Sequence, residues 1–215
     1  MHYAAQSHTG SLTGNHQIWS TVFKQVGAIQ ASDLEELIDL TRAFSILPLI
    51  KNPKVGVATI SGGMGIITLD GCQGSGLEIS KLSPKTQGKI DTMSPQWLKI
   101  GNPVDYWPMI MSSPSLMKSL TDILETMIAD QELGTVMFIM SAFDEKWSTA
   151  LCELLNGWAA AHPDKPLAAC VYGLYGDETI KSLQTAGKVA AYPTPERAIR
   201  ALARLYEYSK LRSRL

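Results

Sequence analysis

The chain has 215 residues, with nineteen basic and twenty acidic side chains leaving a formal charge of −1. That balance argues against a nucleic acid or an anionic membrane surface as the main partner. Hydrophobic residues make up 45% and charged residues 18%, too apolar for disorder, and no apolar run reaches the roughly 20 residues of a spanning helix.

The opening residues, MHYAAQSHTGSLTGNHQ, lack an apolar signal region and read as a polar loop. Ile18, Val22 and Phe23 then mark one face of a helix stopped by Gly27. Ser32-Asp33-Leu34-Glu35 fits a capping box with Ser32 as N-cap and Glu35 at N3. A second helix follows through Leu34, Leu37, Ile38 and Leu40 to Phe44, ended by Pro48 and Asn52-Pro53.

From Lys54 the pattern alternates between strand and helix. VGVATI (Val55 to Ile60) is a bare β-branched run, as expected of a strand covered on both faces. It leads into SGGMG and a helix through Asp70. GLEISKLS reads as a second, half-exposed strand, and Ser83-Pro84 starts a helix with serine as cap and proline at the first helical position. Leu116, Leu120, Ile123, Leu124, Met127 and Ile128 recur at helical spacing before the apolar run TVMFIMSA. A helix over Glu145 to Ala161 precedes the strand PLAACVY, and one near Glu178 to Gln184 precedes KVAAY. The last helix runs from about Pro195 to Tyr208. Strands each followed by a helix imply right-handed crossovers and an α/β, flavodoxin-like, doubly wound five-stranded parallel sheet of order 2-1-3-4-5. Residues 54–215 read as that domain, and residues 1–53 as a loop and helical pair from its neighbour or its own extension.

Cys72, Cys152 and Cys170 are odd in number and scattered. They form neither a metal pair nor a disulfide framework, and read as buried, inert thiols of a reducing cytoplasm. Ligands of open parallel sheets sit beyond the carboxyl ends of the strands. There the sequence places Ser61, Gly62, Gly63, Met64 and Gly65. Glycines at such a turn let backbone N–H groups reach an anion, and the following helix adds its positive end, so phosphate is the natural guest. Tight packing alone would also explain them. Asn102-Pro103-Val104-Asp105 reads foremost as an irregular turn held by side-chain to backbone bonds. Asp70 reads as a solvated or capping residue. His162, before Pro163 at a helix end, suits the dipole, and His2 and His16 carry no specific signal. His8, between Ser7 and Thr9-Gly10 in the opening loop, has the setting of a phosphoryl carrier, although a lone loop histidine is usually just exposed.

Taken together, SHTGSLTG, VFKQVGAIQASDLEELIDLTRAF, VGVATISGGMGIITLD, NPVD and AYPTPERAIRALARLYEY closely resemble the NDP-forming acyl-CoA ligases, the superfamily of ADP-forming acetate–CoA and succinate–CoA ligases. The resemblance implies an acyl-CoA synthetase that interconverts acyl-CoA, ADP and phosphate with acid, CoA and ATP through a phosphohistidine. His8 matches that histidine. Ser61, Gly62, Gly63, Met64 and Gly65 match the turn holding its phosphoryl group, with Asn102 and Asp105 as a supporting loop and no protein-held metal. CoA, ATP or ADP, phosphate and magnesium are implied as substrates of a complete cytoplasmic enzyme, with no tightly bound cofactor. The CoA-binding Rossmann domain and the ATP-grasp domain or subunit are implied as partners in an oligomer. The chain itself then corresponds to the carboxyl-terminal portion of an α-type subunit, cut just before the histidine and unable to turn over alone. The alternative is a non-catalytic flavodoxin-like docking or regulatory module of a larger ligase-like protein.

Overall fold

The computed structural model describes residues 15–213, and His8 lies outside them. The organising element is the run TVMFIMS, which forms a central strand with parallel neighbours on both sides. In chain order the elements are α1 (His16–Val26), α2 (Leu34–Ile46), β1 (Val55–Thr59), α3 (Gly62–Cys72), α4 (Pro84–Met93), β2 (Val104–Asp105), α5 (Trp107–Met111) and α6 (Leu116–Ile128). They continue with β3 (Thr135–Ser141), α7 (Glu145–Ala161), β4 (Leu167–Tyr172), α8 (Gly176–Ala186), β5 (Ala190–Tyr192) and α9 (Pro195–Arg212). The five strands are parallel in the order β2-β1-β3-β4-β5. This is the flavodoxin-like, doubly wound α/β sheet expected from the sequence.

Because side chains alternate across a strand, β3 feeds two cores. Val136, Phe138 and Met140 join the layer built with α6, α7 and α8. Met137 and Ile139 join the layer built with α2, α3 and α9. Both faces of the sheet are therefore covered, which is why β1, β3 and β4 carry nearly uninterrupted apolar runs.

The helix α2 is tied to α9 by charge as well as by packing. Leu40 and Ala43 enter the core. Asp39 accepts from Arg197 at 2.7 Å and 2.8 Å, a two-point contact on a side chain only 5% exposed. Arg42 reaches Asp39 at 3.3 Å, donates to the Ala191 carbonyl at 2.8 Å and stands over the Tyr192 ring.

Two details depart from the sequence expectations. The N-cap of α2 is Asp33, whose side chain accepts from Glu36 N at 2.7 Å, so Glu36 rather than Glu35 sits at N3. The Glu36 carboxylate, 2% exposed, turns back to Ser32 N at 2.7 Å and Ser32 Oγ at 2.6 Å. Ser32 and Asp33 both suit the cap, and the inward pull on Glu36 selects the second. The other departure is the second strand. GLEISKLS contributes only an isolated bridge, Glu78 with Lys54, while the edge strand is Val104–Asp105 from the motif expected to be irregular. Gly76 turns the chain at φ +83°, and Leu77 and Leu82 are drawn into different core layers, so the segment crosses over rather than running alongside β1.

The remaining boundaries follow local chemistry. Gly27 closes α1 in the left-handed region at φ 71°. Ser83 caps α4 with Pro84 in its first turn. All three cysteines are free and buried. Burial pushes the Cys72 thiol up to about 11 and the Cys170 thiol up to about 12, which leaves neither as a thiolate nucleophile near neutral pH. Among the described residues no helix is long and apolar enough to cross a membrane.

Candidate functional site at the carboxyl edge of the sheet

The strand β1 ends at Thr59, and the chain turns at once into α3. Ser61 is the N-cap, its Oγ accepting from Met64 N at 3.4 Å. Thr59 Oγ1 braces the turn, donating to the Ser61 carbonyl at 2.7 Å and accepting from Ser61 N at 3.0 Å. Gly65 N returns to the Ser61 carbonyl at 3.0 Å, which begins the helical ladder. Gly62 and Gly63 are exposed, and their N–H groups meet no protein acceptor among the described residues. No acidic side chain occupies the first turn of this eleven-residue helix. The helix thus presents two free donors and its positive end to solvent.

The neighbouring strand supplies the wall. Register pairs Thr59 with Asp105, and Tyr106 N donates to the Thr59 carbonyl at 2.9 Å. A Cβ on Gly62 would stand 3.4 Å from Asp105 Oδ2, and one on Gly65 would stand 3.3 Å from Pro103. The NPVD segment thus approaches residue 65 closely enough that a side chain there would press on Pro103 and Thr59. The Asp105 Oδ1 atom accepts from Trp107 N at 3.1 Å, the local bond anticipated for an aspartate in a turn. Its carboxylate closes one flank of the turn to anions and leaves the Gly63 side open.

Asn102 does more than hold a turn. Its Oδ1 accepts from Val57 N at 2.9 Å, and its Nδ2 donates to the carbonyls of Val55 and Ser80 at 2.8 Å and 2.9 Å. The side chain thus continues the ladder along the edge of β1 where no strand is present. The Asn102-Pro103 bond is cis, and Val104 beyond it pairs with Ala58. Asn102→Ala should leave Val57 N and the Val55 carbonyl unpaired beside the core. Each orphaned buried group costs about 1–3 kcal/mol, so we expect a loss of about 2–4 kcal/mol, read as a lower urea midpoint at unchanged slope.

Three further positions at this edge gave no signal in the sequence. Trp107 follows β2, Phe143 follows β3 and Leu174 follows β4, and they are 49%, 66% and 76% exposed. Phe143 meets Tyr172 edge-on. Large apolar residues just past the ends of buried strands are the pattern that would have flagged them. All three stand exposed beyond the carboxyl ends of strands of the sheet.

Other sequence candidates lie elsewhere. Asp70 is exposed at the far end of α3, and His162 ends α7 at the opposite edge, beside Lys165 and Asp164. Among the described residues no group of His, Cys, Asp and Glu could hold a metal ion.

Comparison with known proteins agrees with this picture. A family model described as the succinyl-CoA ligase like flavodoxin domain matches residues 1–44. The acetate–CoA ligase [ADP-forming] I α subunit of Pyrococcus furiosus is 32% identical over 98% of this chain and 45% of its own length. The acetate–CoA ligase [ADP-forming] of Methanocaldococcus jannaschii is 29% identical over 97% of this chain and 29% of its own. The solved dinucleotide forming acetyl-coenzyme A synthetase 1 of Ca. Korarchaeum cryptofilum, in complex with phosphate and ADP, superposes with a TM-score of 0.80 at 25% identity, over 99% of this chain and 45% of that one. The chain thus spans less than half the length of these relatives. Sequence and sheet order together make the chain similar to a flavodoxin-like part of the α-type subunits of the NDP-forming acyl-CoA ligases.

Proposed function

We propose that this chain is a portion of an NDP-forming acyl-CoA synthetase in which His8 carries phosphate and the Ser61–Gly65 turn receives it. One observation carries the reading: two unpaired N–H groups, Gly62 and Gly63, crown an uncluttered helix end in a chain that also bears SHTGSL. Phosphate attacks the thioester of acyl-CoA, which breaks the C–S bond and releases CoA. The resulting acyl phosphate passes its phosphoryl group to a neutral nitrogen of the His8 imidazole, with the carboxylate as leaving group. The N–P bond then breaks toward ADP, forming ATP. Donors fixed in advance at the phosphoryl oxygens lower the cost of gathering that charge.

The CoA-binding Rossmann domain, the ATP-grasp domain with its magnesium, and the acid site belong to companion polypeptide in a cytoplasmic oligomer. The exposed side chains of Trp107, Phe143 and Leu174 are suited to such contacts. The test is intact-mass and peptide mapping of the chain in its complete assembly after exposure to magnesium and ATP. An acid-labile, alkali-stable phosphate on His8 that disappears on adding ADP is the expected result. An assembly that turns over without labile phosphate on His8 overturns the reading.

A further inference from the structure

Asp105 puts a negative charge beside a turn whose free donors suit an anion. Its register against Thr59 brings the carboxylate to the start of α3, with Oδ2 3.4 Å from the point a Gly62 Cβ would occupy. Oδ1 accepts from Trp107 N at 3.1 Å, which fixes the direction of the group. Oδ2 accepts no hydrogen bond among the described residues, and no Lys, Arg or His there forms an ion pair with Asp105. The residue is half-buried. Attraction to the positive end of α3 explains why the charge is tolerated. It does not explain the arrangement, because the carboxylate takes neither the Gly62 nor the Gly63 N–H. Both donors stay open while a fixed negative charge stands beside them.

Two donors with a carboxylate at their side suit a ligand that carries both signs of charge. Free phosphate at neutral pH brings negative charge alone, so the amides attract it and Asp105 repels it. At a separation of about 4–5 Å near a protein surface, that repulsion weakens binding by about tenfold or more. A phosphoryl group on an imidazole is different. When the neutral ring nitrogen attacks an acyl phosphate, the N–P bond forms and the carboxylate leaves with the bonding pair. No proton is lost in that step. The second ring nitrogen keeps its hydrogen, and the ring holds a positive charge. The phosphoryl oxygens then match the Gly62 and Gly63 amides, while the ring N–H and its charge match Asp105. We infer that Asp105 is a specificity-determining residue of the turn, which admits a phosphoryl group borne on a cationic imidazole ring and turns away free phosphate. Selection of this kind combines repulsion of the wrong ligand with attraction of the right one. It rests on the proposed phosphoryl transfer only in identifying the ring as that of His8.

Two experiments test it. In the 215-residue chain, the Gly62 and Gly63 amide resonances are titrated with inorganic phosphate and, separately, with phosphoimidazole at one pH and ionic strength. The wild type should bind phosphoimidazole about tenfold or more tightly than phosphate. Asp105→Asn keeps an acceptor for Trp107 N and removes the charge. It should bind phosphate about tenfold more tightly than the wild type and lose the preference. Asp105→Glu keeps the charge and should keep the preference. Equal affinities of the wild type for the two ligands, or no gain in phosphate binding by Asp105→Asn, overturns the inference. In the complete assembly with magnesium and ATP, Asp105→Asn should slow phosphorylation of His8 by about tenfold or more. An unchanged rate there, with phosphate present on wild-type His8, also overturns it. Absence of phosphate on wild-type His8 removes instead the proposed role of that histidine, and the titrations of the chain alone then decide the selectivity of Asp105.

Discussion

In the assembled enzyme, Gly62→Asp should slow phosphorylation of His8 by about 10²-fold or more, the scale of a like charge set against the incoming anion, while the fold stays intact. The substitution leaves the backbone donors in place but sets a carboxylate where the phosphoryl oxygens must come. Folding is spared because Gly62 is exposed and its nearest obstacle to a Cβ is Asp105 Oδ2 at 3.4 Å. An acidic residue in the first turn favours the helix by about 0.3–1 kcal/mol, which offsets repulsion from Asp105. Gly62→Ala provides the steric control and should transfer phosphate at nearly the wild-type rate. His8→Asn fixes the zero of the assay. Equal rates for Gly62→Asp and the wild type would remove the turn from the phosphoryl path.

Gly134→Ala should be the most destabilising single methyl group in the domain's frame. Gly134 lies just before β3, and its N–H donates to the Lys54 carbonyl at 2.8 Å, holding the entrance of β3 against that of β1. A Cβ there would fall 2.0 Å from the Asn52 carbonyl oxygen and 2.9 Å from its carbon. Neither partner can retreat cheaply. Asn52 Oδ1 accepts from Lys54 N at 3.0 Å, Pro53 fixes its own φ and restricts Asn52 before it, and Lys165 Nζ holds the carbonyls of Asp130 and Leu133 on the other side. Overpacking against backbone costs about 3 kcal/mol or more, a large part of the roughly 5–15 kcal/mol that holds a domain together. Urea denaturation should show a strongly lowered midpoint or no soluble product. Gly157→Ala is the counterpart: an exposed mid-helix glycine with nothing within 4 Å of a new Cβ. It should gain about 0.5–1 kcal/mol. Similar midpoints for the two variants would show that the 52–54 turn yields where the geometry says it cannot.

Ser61, Gly62 and Gly63 stand together in the chain, so the turn and its helix could be recognised in place. Asn102 could not be understood that way, since its partners, Val55, Val57 and Ser80, lie far off in sequence. A two-residue edge strand such as Val104–Asp105 has no periodicity to detect, whereas GLEISKLS has alternation and yet yields only a bridge. At the start of α2, two adjacent cap-forming residues competed, and burial of Glu36 decided between them.

The amino-acid sequence by itself determined the elements whose signal is local and repeated: the apolar runs of β1, β3 and β4, the helices with one apolar face, the caps at Ser83 and Gly27, and the alternation of strand and helix that makes the sheet parallel. Only the tertiary structure decided which segment became β2, that Asp105 flanks Gly62, and that Trp107, Phe143 and Leu174 gather at one edge. Those outcomes depend on register and on contacts between distant segments. Their free energy arises when the two sheet faces are buried together, and no short window of residues contains it.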